Sequence, residues 1–393
     1  MQIITPNQRD NTMKTVSKSD DHDQMMMISN IRDKKVRELV LEKRRLVEVP
    51  YTATLGDTMN TLVTHRVVAV PVAAPPGHWI GAGGSMIMET DKKSGAVRKH
   101  YIGMVTMLDI LAHIAGDSNE VVNGGNGDEY SSDIDKKLSV SVSTIIGHCL
   151  EGLSLWTLHP NTSLIDCMEV FSKGIHRALV PLDSQMENIS GVELVESSSS
   201  YRMLTQMDVL KFIKAHGHQE LRDLMVSTVR SAGAVTDTVL AVTHRTRAID
   251  AIKCLRNASL QAVPIVEASD IPPEGNNQLI NGYGRRLVGT FSATDLRGCP
   301  VDLMQSWLPL NVRDFMARVY KNPSHGAPDL VNSPRLLVTC HADSSLLEVI
   351  DKLITRHVHR VWVVNDYEYG TLLGVISLTD IIRAVRAALI SAS

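Results

Sequence analysis

The sequence of 393 residues predicts an α+β fold of four tandem units, each ordered strand, helix, strand, strand, helix. One observation is a phrase that occurs four times: apolar residues, a Ser or Thr, two spacers and an aspartate. Its aspartates lie 99, 87 and 85 residues apart, a spacing typical of repeated domains with separate cores. A second observation is an amphipathic helix followed by a β-branched strand ahead of each phrase. The four aspartates are Asp109, Asp208, Asp295 and Asp380.

The elements follow one another in the same order in each unit. Opening segments are expected at residues 36–40, 146–150, 221–225 and 312–316. A helix comes next, and in the fourth unit Leu346, Ile350 and Leu353 fall at helical spacing behind an N-cap at Asp343 or Ser344. Strands are expected at residues 67–72, 178–182, 262–266 and 361–364. Closing helices are expected at residues 110–114, 209–215, 381–389 and from residue 296 onward.

The predicted domain boundaries follow from this order and from composition. Residues 1–30 are polar and show no period, which predicts a disordered tail. The four repeats are expected at residues 31–116, 138–217, 218–305 and 306–393.

Composition narrows the classes of function. The net charge of −3 gives no reason to expect nucleic acid or a membrane surface as a partner. The five cysteines are scattered without a C-x-x-C, which favours a reducing compartment and gives no metal framework. No apolar stretch reaches the length of a signal peptide or a membrane span, so we expect a cytoplasmic or nuclear protein.

Two sequence patterns resemble a known domain. The segment 312–316, Val-Arg-Asp-Phe-Met, and the segment 374–380, Gly-Val-Ile-Ser-Leu-Thr-Asp, resemble the start and end of the CBS domain, a small βαββα module. The resemblance covers the chain beyond the tail. It implies four tandem CBS repeats paired into two Bateman modules, residues 31–217 and 218–393, with adenosine-ligand sites in the cleft of each pair.

A closer resemblance is to the gamma regulatory subunit of AMP-activated and sucrose-non-fermenting-related protein kinases. Ile175-His176-Arg177 with Leu204-Thr205 is similar to the second repeat of that family, and Val358-His359-Arg360 is similar to its fourth. The long loops favour a plant gamma-like type. The resemblance implies AMP, ADP or ATP as ligands, and a kinase catalytic (alpha) subunit and a beta scaffold subunit as partners.

The Ser/Thr-x-x-Asp phrase can be interpreted in two ways. A carboxylate one turn into a helix can accept hydrogen bonds from both ribose hydroxyls, and the resemblance implies this role. The same spacing is also that of a capping box, which needs no ligand. The candidate ribose-binding residues are Thr106, Asp109, Thr205, Asp208, Ser292, Asp295, Ser377 and Asp380.

Three His-Arg pairs are candidates for phosphate binding, because Arg offers a fixed charge and His an additional donor. They are His65-Arg66, His176-Arg177 and His359-Arg360, of which the first has no counterpart in the family. The alternative is a charged strand edge that discourages pairing between sheets. The third unit has no such pair. Arg177 lies six residues before Asp183 and Arg360 five before Asn365, and this one-residue slip predicts that His176 and Arg177 do not both reach the cleft.

No catalytic constellation, metal-ligand spacing or cofactor motif is present in the sequence, so we expect a protein that is not an enzyme. The sequence favours a nucleotide-sensing regulatory subunit of a kinase. Two alternatives stay open: a standalone CBS sensor of adenosine ligands that regulates an unrelated enzyme or transporter, and a scaffold that has lost nucleotide binding. The sequence leaves open which nucleotide binds, how many sites fill and whether the response is activation or inhibition.

Overall fold

The computed structural model describes residues 31–74, 100–116, 134–147, 155–182, 200–217, 219–269, 275–321, 337–365 and 370–391. The predicted tail and residues 148–150 of one predicted opening segment lie outside the described residues.

Small sheets organise the described part of the chain. Their strands are β1 (Val49–Pro50), β2 (Ala69–Ala73), β3 (Tyr101–Thr106), β4 (Arg177–Pro181), β5 (Tyr201–Thr205), β6 (Leu240–Thr243), β7 (Ala262–Val266), β8 (Ile280–Asn281), β9 (Leu287–Ser292), β10 (Thr339–Cys340), β11 (Arg360–Val364) and β12 (Leu372–Ser377). The sheets have the strand orders β1-β2-β3, β4-β5, β8-β6-β7-β9 and β10-β11-β12.

Helices connect and cover these sheets. They are α1 (Val36–Val40), α2 (Leu55–Thr64), α3 (Met107–Ala115), α4 (Leu164–Ser172), α5 (Gln206–His216), α6 (Arg222–Val226), α7 (Ala248–Asn257), α8 (Met304–Trp307), α9 (Val312–Lys321), α10 (Leu346–Arg356) and α11 (Leu378–Ser391). A further helical stretch covers residues 134–138.

Three of the four sheets contain one parallel pairing next to an antiparallel one. Strands β1 and β2 run parallel because helix α2 crosses over between them, whereas β2 and β3 run antiparallel. The same pattern joins β6, β7 and β9, and also β10, β11 and β12. Beside β4, the parallel partner is reduced to a single bridge between Thr157 and Leu179. We call these four groups units one to four, with the closing helices α3, α5 and α11 in units one, two and four.

Unit three departs from the prediction of a closing helix from residue 296 onward. A 3-10 helix, Asp295–Gly298, follows β9 instead, and the chain continues through Cys299 and Pro300. Gly298 weakens a helix and Pro300 lacks the N–H that the next turn would require. The predicted regular helix is therefore wrong at this place.

The opening segments dock on a different unit from the one that follows them in sequence. The Val36 N–H donates to Thr162 O at 3.0 Å, and the Leu164 N–H donates to Lys34 O at 2.9 Å, so the first segment lies on unit two. In return, the Val142 N–H donates to Ala53 O in unit one at 2.8 Å.

Units three and four exchange their opening segments in the same way. The Val229 N–H donates to Ser344 O of unit four at 2.9 Å, and the Val312 N–H donates to Thr246 O of unit three at 2.7 Å. The equivalent segments therefore begin at Val36, Val142, Val229 and Val312. The predicted opening segments of units two and three, residues 146–150 and 221–225, are therefore placed wrongly. The sequence pattern alone does not show which residues dock on the neighbouring unit, and the backbone contacts do.

The apolar cores connect the units in a second direction. One buried cluster joins unit one to unit three, where α3 lies near α7, and another joins unit two to unit four, where α4 lies near α11. A smaller cluster that includes Trp362 and Leu287 fills the contact between the sheets of units three and four. Each unit thus exchanges segments with one neighbour and shares a helical core with another.

Candidate functional site

The Ser/Thr-x-x-Asp phrase forms a capping box at the start of the closing helix of unit four. The backbone N–H and the Oγ of Ser377 donate to Asp380 Oδ2 at 2.9 and 2.5 Å, and the Asp380 N–H donates back to Ser377 Oγ at 3.3 Å. The other carboxylate oxygen, Asp380 Oδ1, takes no part in the box. Capping is therefore real here, and it occupies only one of the two carboxylate oxygens.

Units one and two carry the same box. The backbone N–H of Thr106 donates to Asp109 Oδ2 at 2.7 Å, and the backbone N–H of Thr205 donates to Asp208 Oδ2 at 2.8 Å. Both threonine hydroxyls also donate to that oxygen at 2.6 Å. The local geometry of the phrase is thus common to three units, and the surroundings distinguish them.

In unit three the phrase leads into a 3-10 helix and not into a regular α-helix. Ser292 ends β9, and the chain turns through Ala293 and Thr294 before the 3-10 helix begins at Asp295. Thr294 is the N-cap of that helix and makes no side-chain capping bond. The side chain of Asp295 lies outside the described part of the structure.

Solvent access differs sharply among the three boxed aspartates. Asp109 is 1% exposed, whereas the side chains of Asp208 and Asp380 are 22% and 12% exposed. Thr106 beside Asp109 is also buried, at 4%. A ligand can therefore reach the carboxylates of units two and four, but that of unit one only after the surrounding helices move.

The two accessible carboxylates have different cationic partners. Arg383 donates to Asp380 Oδ1 at 3.0 Å from one turn further along α11, and the Arg383 side chain is 59% exposed. Asp208 Oδ2 is paired instead with Lys43 Nζ, which comes from the chain between α1 and β1.

The strand register places Arg177 and Arg360 at equivalent positions. Arg177 pairs with Thr205 and Arg360 pairs with Ser377, so each arginine lies opposite the first residue of a capping box. The expectation of a one-residue slip between them is wrong, because both strands begin at the arginine and pair it with the first residue of the box. The corresponding residues in units one and three are Ala69 and Ala262.

His65 and Arg66 do not share this position. Both side chains are exposed, His65 caps the C-terminus of α2, and Arg66 has a φ of +52° in the turn that follows. A positive φ also occurs three residues before the first strand residue in each other unit, at Gly174, Ser259 and His357. The pair in unit one thus occupies the turn at the helix end, where a backbone carbonyl of His65 accepts a bond from Arg44.

Both strand arginines point across to the neighbouring unit. Arg360 Nη1 donates to Ala262 O of unit three at 3.1 Å, and Arg177 Nη1 lies 3.8 Å from Met104 Sδ of unit one. The backbone carbonyls of His359 and His176 accept bonds from the first helical residues Leu378 and Gln206, both at 3.1 Å. The pairs of units two and four are therefore held between a capping box and the adjacent unit.

Sequence reasoning missed three polar groups at these helix starts. Arg383 follows Asp380 by three residues, a spacing that could have predicted the ion pair. Gln206 Nε2 donates to Thr379 Oγ1 at 2.8 Å, so the phrases of units two and four touch. No sequence pattern points to Lys43 as the partner of Asp208.

Comparison with known proteins places the chain in a family. The CBS domain family matches residues 329–387. The SNF1-related protein kinase regulatory subunit gamma-like PV42a of Arabidopsis thaliana is 51% identical over 380 residues, which cover 96% of this chain and 100% of that protein. The chain belongs to the gamma-like PV42 family of SNF1-related protein kinase regulatory subunits. This confirms the resemblance to the plant gamma-like type.

Other members and relatives of this gamma-like family agree. The PV42b protein of Arabidopsis thaliana is 54% identical, with 93% of this chain and 98% of that protein covered. The 5'-AMP-activated protein kinase subunit gamma of Saccharomyces cerevisiae is 23% identical over 87% of this chain and 86% of its own length. The solved structure of MJ1225 from Methanocaldococcus jannaschii covers 90% of this chain and 100% of that chain with a TM-score of 0.55 and 17% identity, which supports the fold.

The described ranges contain few groups suited to other chemistry. In them, no helix has both the length and the apolar character needed to cross a bilayer, and no three His, Cys, Asp or Glu side chains are grouped to hold a metal ion. Cys167, Cys299 and Cys340 are buried, and burial raises the pKa of each thiol to about 12. These thiols are therefore protonated at neutral pH and unsuited to act as nucleophiles.

Proposed function

We propose that the protein is a regulatory, non-catalytic gamma-type subunit of a heterotrimeric Ser/Thr protein kinase, which senses energy state by binding AMP, ADP or ATP between CBS repeats. The observation that carries the proposal is the arrangement in unit four. There, Arg360 lies opposite Ser377 on the neighbouring strand, and Ser377 caps the helix that carries Asp380. Membership of a family of kinase gamma-like subunits supports the same interpretation.

The four units correspond to CBS repeats at residues 31–116, 138–217, 218–305 and 306–393. Units one and two form one Bateman module and units three and four form the other. The reciprocal docking of the opening segments supports this pairing, because each segment completes the unit beside it. Ring contact between Tyr101 and Tyr201 at 5.5 Å supports the first pair in addition.

Unit four provides the nucleotide site that binds first. Ribose hydroxyls donate to Asp380 and replace Arg383, whose exposed ion pair is weak because water screens it. The phosphates lie beside Arg360 and His359 at the contact with unit three, where the N-terminus of the 14-residue α11 adds positive potential. Arg177, His176 and Asp208 form the corresponding set in unit two. Asp109 and Asp295 contribute less to nucleotide binding than Asp380 and Asp208.

Nucleotide binding regulates the kinase only if ligands bind two arrangements of the modules with different affinities. Each site lies between two units, so a bound phosphate favours the arrangement that keeps both units in contact with it. A kinase alpha subunit and a beta scaffold that contact both modules then bind to the arrangement that the nucleotide favours. We expect this assembly in the cytoplasm or the nucleus.

Calorimetric titration of the full chain with AMP and with ATP tests nucleotide binding. We expect at least one saturable site for each, and a loss of that site in Asp380→Asn. An absence of binding at millimolar ligand would contradict nucleotide sensing and favour a scaffold.

Co-purification tests the assembly. The chain is expected to form a complex with the alpha and beta subunits of an SNF1-related kinase when the three are co-expressed. Nucleotide binding without such a complex would favour a standalone CBS sensor of adenosine ligands.

A further inference from the structure

Residues 41–48, here called the strap, connect two different units. The strap leaves α1, which docks on unit two, and leads to β1, the first strand of unit one. It therefore spans the first pair of units. Its path puts it next to β5 and the start of α5, where the capping box of unit two lies.

Side chains from both units hold the strap. Arg202 Nε donates to Lys43 O at 2.8 Å from β5, and Arg44 Nη1 donates to His65 O of unit one at 3.1 Å. At its end, the Tyr101 hydroxyl donates to Glu48. The position of Lys43 is thus set by contacts on either side of it.

The ammonium group of Lys43 pairs with the same oxygen of Asp208 that the capping box uses. The side chains of Lys43 and Asp208 are 24% and 22% exposed, so water screens this pair less than the pair of Arg383 and Asp380. Ribose hydroxyls that approach Asp208 therefore meet a carboxylate whose charge is already paired with a cation of the chain itself.

The second pair of units lacks this cation. Lys43 lies eight residues after the bridge residue Lys35, and the residue eight after the equivalent bridge residue Thr228 is Thr236. Thr236 pairs through its backbone with Val375 of β12 and carries no charge. Among the differences between units two and four is therefore the basic residue of the strap, which only unit two has beside its box.

We propose that Lys43 is a tethered competitor that closes the nucleotide site of unit two, so that this site fills only when the strap lifts from Asp208. This inference rests on the proposed function, since it concerns the regulation of one of the proposed sites. It makes the occupancy of unit two depend on anything that moves residues 41–48, and it makes unit four the site that binds first.

Equilibrium dialysis with ATP tests the competition. Measurements in an Arg360→Ala background remove most binding at unit four, and Asp208→Asn identifies the binding that remains at unit two. Lys43→Met keeps the aliphatic stem and removes the charge. We expect it to tighten ATP binding at unit two about three- to tenfold, the effect of losing one partly buried charged contact. Lys173→Met is the matched control, because Lys173 is an exposed lysine of the same unit that pairs with Glu169 and not with Asp208.

An ATP affinity of Lys43→Met equal to that of the parent would overturn the inference. A lower affinity would also overturn it, because Lys43 would then bind phosphate. Hydrogen exchange of residues 41–48 without nucleotide separates this failure from failure of the proposed function. Lys43→Met is expected to speed exchange of the strap about threefold, and Lys173→Met is expected to leave it unchanged. If no variant binds ATP, the proposed function fails, and unchanged exchange shows in addition that Lys43 does not hold the strap.

Discussion

Replacing Arg360 by alanine is expected to weaken ATP binding about 10- to 100-fold. The guanidinium lies at the contact of units three and four, opposite the residue that caps α11. A hydrogen bond to a charged group contributes about 1.5–3 kcal/mol of binding free energy, and a guanidinium that binds a phosphate through two N–H groups makes more than one such bond. The loss is measured by calorimetric titration of the wild type and the variant at the same ionic strength, because phosphate contacts depend on salt.

Adenosine provides the control for this prediction. It has the ribose and the base but no phosphate, so the variant and the wild type are expected to bind it equally. Arg356→Ala is a matched variant, since Arg356 is exposed at the end of α10 and carries the same charge. Equal ATP affinities in wild type and Arg360→Ala, or an equal loss for adenosine, would show that Arg360 does not bind phosphate.

Phe315→Ala is expected to lower the free energy of unfolding by about 3–5 kcal/mol, the usual cost of truncating a fully buried aromatic residue. Phe315 belongs to α9, the opening segment of unit four, yet it lies buried in the core of units one and three. Its ring is 5.9 Å from Phe291 and 6.4 Å from Trp307, measured between centroids. Urea denaturation followed by circular dichroism measures the change.

Phe212→Ala is the comparison for the core prediction. Phe212 is only half-buried on α5 and packs against His216, so we expect a clearly smaller loss. If Phe315→Ala costs no more than Phe212→Ala, the opening segment of unit four does not dock on unit three as described.

The element order and the caps could be predicted from the sequence because both depend on local physics. The helical spacing of Leu346, Ile350 and Leu353 is found in α10, with the N-cap at Ser345, one residue after the latest position considered. The Ser/Thr-x-x-Asp spacing yielded the capping boxes directly. In unit three the same spacing is followed by a 3-10 helix in place of the predicted regular helix, because Gly298 and Pro300 disfavour its continuation.

Properties that depend on contacts between units could not be predicted. The burial of Asp109 follows from packing against another unit, whereas its Thr-x-x-Asp phrase follows the same pattern as that of Asp380. The partner of Asp208 lies 165 residues away at Lys43. His65-Arg66 has the same letters as the other pairs. Arg66, however, lies three residues before Ala69, the strand position that corresponds to Arg177 and Arg360, and only the strand pairing reveals this register.

The most direct measurement is a crystal structure of the full chain with ATP. We expect the phosphates beside Arg360 and His359, and the ribose hydroxyls within hydrogen-bonding distance of Asp380, with Arg383 displaced. ATP bound away from this place, or no bound ATP in crystals grown at saturating concentration, would contradict a nucleotide site between units three and four.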